Sequence, residues 1–317
     1  MRIVVALGGN AMTTSDGRST QDDQRAAIEE AAQHIARLVA DGHEVVLTHG
    51  NGPQVGNILL KNELSAHRLT PVTLDWCGAQ TQGTLGFTLT NALERALAAA
   101  GTEQPVAALV SRTQVDPDDP AFDRPTKAVG PYSDAEHAAE QTRLGQSWRD
   151  EGAKGWRRLV PSPEPRQIVD APAVAALLGQ GFLVISSGGG GIPVVPDEGG
   201  GYRGVEAVID KDLTATLLSR QVTADLLVIA TDVEHAVLDW GTPQARDVGR
   251  VTASQIRAYI DAGEFGEGSM LPKIEAVTRF VEQGGSMAVV TALPRIADAV
   301  TGEVGTVVVP DGSPQRS

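Results

Sequence analysis

Cysteine is nearly missing from this chain. The only one is Cys77, which excludes an internal disulfide and any cysteine-built zinc cage. A reducing compartment, and hence a cytoplasmic location, is expected. The six histidines show no metal-ligand spacing, so no protein-built metal site is expected. Aromatic residues make up only 4%, so the core must be built from Val, Leu, Ile and Ala. No apolar run approaches the ~20 residues of a membrane-spanning helix. Met1–Leu7 is too short for a signal peptide and runs straight into Gly8-Gly9-Asn10. Positive charge is scarce too: the formal net charge is −14. Nucleic acid needs a basic footprint, so it is not an expected partner, and neither is a membrane. A small phosphorylated ligand needs only a few local cations.

Lysine is the scarcest charged residue. Of 26 basic residues, 21 are Arg and five are Lys: Lys61, Lys127, Lys154, Lys211 and Lys273. An ammonium group is a compact, mobile point charge and a guanidinium a rigid fork, so the two are not interchangeable. Lys61 and Lys154 lie in ordinary polar contexts and read as solvated. Lys127 (RPTKAVGP), Lys211 (VIDKDLTA) and Lys273 (GSMLPK) all lie in junctions rich in Gly, Pro or Asp. Each alone could be a surface charge near a helix end. Together they suggest ammonium groups converging on phosphate oxygens.

What is present is an alternation of strands and helices. Apolar runs at 2–7, 44–48, 105–110, 182–186, 224–230, 286–291 and 304–309 predict strands. Helical periodicity predicts helices over 20–41, 54–66, about 79–100, 173–178, 213–221, 253–262 and 274–283. Near-continuous apolar strands separated by helices imply a mostly parallel open sheet covered on both faces, a three-layer αβα sandwich in the α/β class. The 317 residues suffice for one large α/β domain or two modest ones. Residues 116–166 lack the alternation and are polar and proline-rich. They read either as a small protruding subdomain inserted in that domain or as a long surface loop, which is uncommon in a compact domain.

Four predicted strands end in glycine or small polar residues: Gly8-Gly9-Asn10, Gly50-Asn51-Gly52, Gly188 to Gly191, and Thr231-Asp232. Ligands of open α/β sheets bind beyond the carboxyl ends of the strands. Glycine lets backbone N–H groups approach an anion closely. One Gly-Gly is usually just a turn, and Gly188–Gly191 alone could be a flexible loop. Three such clusters on three strands point to an anion cradle, with the side chains absent to leave room for the anion. Other phosphate-handling signatures are missing. No glycine directly precedes a lysine, which excludes the Walker A loop, and Pro193 breaks the dinucleotide fingerprint. His49 has no serine or cysteine elbow to pair with and reads as a local hydrogen-bonding residue.

These segments, in order, resemble the carbamate kinase family within the amino acid kinase superfamily: ALGGNAM (6–12), THGNGPQVG (48–56), DWCGAQTQG (75–83), TKAVGP (126–131), GWRRLVPSPEPRQIVD (155–170), SSGGGGIPV (186–194), GVEAVIDKDLTA (204–215), TDVEHAVLDWGTP (231–243) and GSMLPKIEAV (268–277). The resemblance implies a three-layer amino acid kinase fold in a single domain over 1–317 with 116–166 as its protruding subdomain, a homodimer, and reversible phosphoryl transfer between ATP and carbamate, with carbamoyl phosphate and ADP as products. It implies ATP/ADP with Mg²⁺ held mainly by nucleotide oxygens and water. By position, Gly8, Gly9, Asn10, Gly50 and Asn51, with Gly188, Gly189 and Gly190, would cradle the substrate and phosphate. Lys127, Lys211 and Lys273 would neutralise the transferring group, and Asp212 would orient the lysines. Thr231, Asp232, Val233, Ala236, Val237 and Trp240, with Ser269 and Met270, would hold the nucleotide. The chain departs from the family pattern at Ala128, Ser133 and Thr242. Two other readings stay open: the same chemistry on another small carboxylate or carbamate-like acid, and a catalytically silent nucleotide-binding regulator.

Overall fold

A computed structural model describes residues 1–8, 20–266 and 270–314. The chain begins β1 (Arg2–Leu7), α1 (Gln21–Ala40), β2 (Glu44–His49), α2 (Gly52–Ser65), α3 (Leu74–Ala99), β3 (Val106–Ala108) and β4 (Arg112–Val115). It continues through β5 (Lys127–Ser133), α4 (Ala135–Arg143), β6 (Ser147–Asp150), β7 (Trp156–Val160), β8 (Pro165–Ile168), α5 (Ala171–Gly179), β9 (Leu183–Ile185), β10 (Ile192–Pro196) and β11 (Tyr202–Gly204). The last part is α6 (Lys211–Gln221), β12 (Leu226–Thr231), β13 (Ala236–Leu238), β14 (Arg246–Val248), β15 (Arg250–Thr252), α7 (Ala253–Asp261), α8 (Met270–Glu282), β16 (Met287–Ala292) and β17 (Thr306–Val309).

Eight strands form the main sheet in the order β15-β17-β16-β12-β1-β2-β9-β3. From β16 to β3 every pairing is parallel, and β17 is antiparallel to β16. Strand alternation builds the two outer layers. Ile3, Val5 and Leu7 pack with the apolar faces of α1 and α3 on one side. Val4 and Ala6 pack with α5, α6 and α8 on the other. Local chemistry marks the helix ends. Thr20 and Asp23 form a capping box at the start of α1. Gly42, at φ +84°, lets His43 N–H reach back to Leu38 O and stops the helix where the sequence predicts.

The chain order places the site. From β1 the chain first builds outward to β2, β9 and β3, and only later adds β12 and β16 on the other side of β1. The carboxyl ends of β12, β1, β2 and β9 therefore emerge side by side. At about 4.8 Å per strand, this row of ends spans about 15 Å.

The segment without predicted alternation does carry regular structure. Residues 127–160 contain β5, α4, β6 and β7, and their three strands make a separate antiparallel sheet in the order β5-β7-β6. Its strands are short and half-exposed, so they lack the apolar runs that mark the main sheet. It packs on the body through Val129 and Val160 against Val55 and Leu59 of α2 and Leu74 and Cys77 of α3. A second small sheet, β11-β10-β4-β8, was likewise not predicted. No described helix is long and apolar enough to cross a membrane.

Leu89 of α3 is fully buried between that helix and the sheet. Leu89→Ala is expected to cost about 3 kcal/mol, as a lost transfer term plus a cavity. The urea midpoint relative to wild type checks it.

Candidate active site

Beyond the strand ends, a cavity of about 220 Å³ is lined by Gly50, Asn51, Gly52 and Pro53 at the start of α2, by Gly189, by Lys127 and Val129 of β5, and by Asp210, Lys211, Asp212 and Lys273. It collects three of the five lysines. Lys61 and Lys154 are exposed elsewhere. A larger cleft of about 440 Å³ lies between α2 and the small sheet and holds none of them.

The lysines are held by two carboxylates. Asp212 is 3% exposed. Its Oδ1 accepts from Lys211 Nζ and its Oδ2 lies 3.4 Å from Lys273 Nζ. Lys127 Nζ, from β5, lies 2.7 Å from Asp210 Oδ2. Asp210 is also the N-cap of α6, and its Oδ1 accepts from Asp212 N–H and Leu213 N–H. Burial alone would raise the Asp210 carboxyl, but the Lys127 ammonium, the Lys211 charge and the Asp212 N–H hold it down at about 2. Asp210 was missed as a site residue. The signal was present: an Asp directly before a helix is a cap, and here its free oxygen meets a lysine distant in sequence. The amino ends of α2 and α6 both open onto the cavity, which adds the positive ends of two helix dipoles.

The glycines sort differently from expectation. Gly8 N–H donates to Ala230 O, Gly50 N–H to Leu7 O and Gly190 N–H to Ser187 O, so these three are spent inside the fold. Among the described residues, the Gly188 and Gly189 N–H groups have no acceptor, and only Gly189 of the run lines the cavity. The missing side chains are mostly explained by protein rather than by ligand. A Cβ at Gly188 would overlap the His49 imidazole, and one at Gly189 the Asn51 amide. A Cβ at Gly190 would meet the Ile209 backbone, and one at Gly191 the Thr113 hydroxyl. The run knits four neighbours together, and three of its glycines hold φ between +67° and +94°.

His49 behaves as the sequence suggests. Its Nδ1 lies 2.9 Å from Gly50 O. A carbonyl only accepts, so Nδ1 carries the proton. Complete burial pushes its pKa down to about 4, and the ring is neutral near pH 7.

Of the residues expected at the nucleotide, Thr231 ends β12, next to β1 in the sheet. Asp232 and Val233 follow it, and Thr231 Oγ1 donates to Asp232 Oδ1. Val237 is half-buried, Met270 opens α8, and Trp240 is 77% exposed. Ala236 is fully buried and its N–H donates to Thr306 Oγ1, so it serves the fold. None of these residues lines the lysine cavity. Gly9, Asn10 and Ser269 lie outside the described residues.

The family model described as "Amino acid kinase family" matches residues 1–292. The chain belongs to the amino acid kinase family. Within it, a carbamate kinase of Thermococcus kodakarensis is 44% identical over 97% of this chain and 99% of its own length. A solved structure from Aeropyrum pernix superposes with a TM-score of 0.93 at 40% identity, covering 98% of this chain and 100% of the other. The carbamate kinase of Giardia lamblia bound to AMP-PNP gives 0.91 at 38% identity, covering 98% of each. Family membership agrees with the parallel sheet, the row of strand ends and the absence of a Walker loop.

The pair between Lys127 and Asp210 makes stability depend on pH. A carboxyl whose folded pKa lies below its unfolded value contributes stability above the unfolded value and loses it as pH falls through the folded one. Between about pH 4 and about pH 2 the wild type is expected to lose about 2 kcal/mol from this group. Asp210→Asn keeps a capping oxygen without the charge, so the stability gap between the two proteins should close over that range. Urea unfolding at a series of pH values measures it.

Proposed function

We propose that this chain is a carbamate kinase, transferring a phosphoryl group reversibly between MgATP and carbamate to give ADP and carbamoyl phosphate. The observation that carries the reading is the convergence of Lys127, Lys211 and Lys273 on Asp210 and Asp212 at one helix N-terminus. The full-length match to carbamate kinases chooses the acceptor.

The chemistry asks little covalent work of the protein. A carbamate oxygen attacks the γ-phosphorus as the bond to the ADP oxygen breaks. Carbamate is already an anion, so no general base is required, and the neutral, buried His49 is not asked to be one. Catalysis is positioning and charge neutralisation. The ammonium groups of Lys211 and Lys273 take the charge of the transferring oxygens, and Asp212 keeps them side by side. Lys127 comes from the small sheet, so the 116–166 segment acts as a subdomain closing over the site within the single domain. Asn51, Gly189 and the start of α2 receive the substrate end, and Gly8, Gly50, Gly188 and Gly190 shape the floor. The nucleotide lies over the end of β12, against Thr231, Asp232, Val233, Val237 and Met270, with Trp240 at its outer rim.

Magnesium supplies charge neutralisation when it arrives with the nucleotide. Among the described residues, the carboxylates lining the cavity are Asp210 and Asp212, and both are engaged by ammonium groups. The fitting donors for the metal are therefore phosphate oxygens and water. A cytoplasmic site of action belongs to the same proposal and is supported by the use of ATP and a single, buried cysteine.

The same proposal includes a homodimer. On the outer face of α3, Trp76 and Phe87 lie three helical turns apart and are 62% and 68% exposed, with Val110 exposed beyond the edge strand β3. A second copy is the partner proposed to cover these exposed apolar side chains.

An assay coupling ADP and carbamoyl phosphate to ATP formation tests the activity. Turnover is expected with wild type, and a fall in kcat of about 10²–10³-fold in Lys211→Ala and Lys273→Ala with the fold intact. Nucleotide binding without any transfer would support the regulator reading, and transfer only from another acyl phosphate would move the acceptor. Sedimentation of wild type should give about twice the 33.1 kDa chain, and Phe87→Glu a single chain; a monomeric wild type removes the dimer.

A further inference from the structure

An N–H group helps a developing anion only if its direction is fixed before the anion forms. Gly188 and Gly189 are the two glycines of the run whose N–H groups have no acceptor among the described residues. Glycine cannot fix direction by itself. Gly189 sits at φ +67°, a region glycine enters and leaves at little cost. Something else must hold the peptide planes.

A planar trans peptide points its C=O and the next N–H in opposite directions, and no described peptide is cis. Whatever grips Gly188 O therefore aims Gly189 N–H. Gly188 O accepts from Gln82 Nε2 at 2.9 Å and from Gly191 N–H at 3.1 Å. One residue earlier, Ser187 O accepts from Thr48 Oγ1 and from Gly190 N–H, both at 3.0 Å. That pair aims Gly188 N–H.

Gln82 is itself immobilised. It lies on the inner side of α3, buried, and Nε2 also donates to Ser111 O at 3.1 Å while Oε1 accepts from Ser111 N–H at 2.8 Å. Ser111 N–H can only donate, so the amide has one orientation, with its NH₂ toward the two carbonyls. Thr48 is fully buried at the end of β2. Neither residue lines the cavity.

We propose that Gln82 and Thr48 are positioning residues for phosphoryl transfer: through the carbonyl of Gly188, Gln82 aims the Gly189 N–H that opens onto the cavity, and through the carbonyl of Ser187, Thr48 fixes the peptide plane before it. This rests on the phosphoryl-transfer reading above. Gln82→Glu keeps the size and the bond from Ser111 N–H but loses both donations, and sets a carboxylate oxygen against two carbonyls. Thr48→Val keeps the shape and loses one bond.

The experiment measures kcat, MgADP affinity by calorimetry and melting temperature for wild type and both variants. In Gln82→Glu, kcat should fall about 10–100-fold, the scale of a donor misplaced by about an ångström. In Thr48→Val it should fall about threefold to tenfold. MgADP affinity should stay within about twofold, because the nucleotide lies over β12. Lowering pH from about 8 to about 6 should bring Gln82→Glu back toward wild type, since a buried carboxyl protonates in that range and regains a donor. Thr48→Val should show no such recovery. Unchanged kcat in both folded variants overturns the proposal. So does a parallel loss of kcat, nucleotide affinity and melting temperature without acid recovery, which is the mark of a merely structural role. If Gln82→Glu does not fold, Thr48→Val decides alone on the kcat criterion. If wild type makes no ATP from carbamoyl phosphate, the carbamate reading fails separately. Inorganic phosphate then becomes the probe: affinity at least about tenfold weaker in the folded variants supports the aiming role, and equal affinity overturns it.

Discussion

Two ammonium groups about 5 Å apart in a protein cleft repel each other by about 3 kcal/mol. They do not stay together unless a negative group stands between them. Asp212 is that group, one oxygen to Lys211 and the other toward Lys273. Much of the surrounding structure follows from keeping this carboxylate in place. It sits in the first turn of α6, where the helix dipole favours a negative charge. Its own N–H is held by the cap Asp210, which in turn binds Lys127 from a different sheet. One helix start thus organises three cations from three elements. Removing Asp212 would leave two partly buried like charges facing each other, a costlier change than loss of one exposed ion pair.

The second constraint is the polar packing under Gly188–Gly191. The run is contacted by side chains from the end of β2, the cap of α2, the inner face of α3, the start of β4 and the first turn of α6. Gly190 O accepts from both Thr113 and Thr214 hydroxyls. Ser111, Ser186 and Ser187 hydroxyls form a chain beside it. Ser187 is a non-glycine residue at φ +56°, a conformation held by the bonds on both sides of it. A buried polar network is stable only if it is nearly complete, and this one is completed by bonds from elements far apart in sequence. The entropy lost by ordering four glycines is offset there, in close backbone contacts that a Cβ would forbid.

Local charge and overall charge run in opposite directions. The chain carries −14 overall, yet the cleft gathers three lysines against two aspartates and two helix N-termini. An acidic surface keeps like molecules apart, while the binding of a small anion depends on the few charges within reach of it, because salt screens those beyond about 8–10 Å.

Much of this was legible along the chain. The parallel sheet followed from its apolar runs, since strands buried on both faces have no polar alternation. The scarcity of lysine singled out Lys127, Lys211 and Lys273, because ammonium groups were used so rarely elsewhere. The small sheet of residues 127–160 was not legible: its strands are short, half-exposed and carry no apolar run, so only pairing with one another defines them. Asp210 was legible only as a helix cap, its bond to Lys127 being 83 positions away, and Gln82 and Thr48 were silent, because each acts through a partner 106 or 139 positions away. Periodicity, capping and composition are local properties, so the order of residues alone marks which elements form and which rare residues matter. Which glycines give way to protein, and which N–H groups reach the cleft, is settled in three dimensions, because a Cβ clash and a peptide's direction depend on what the fold brings alongside.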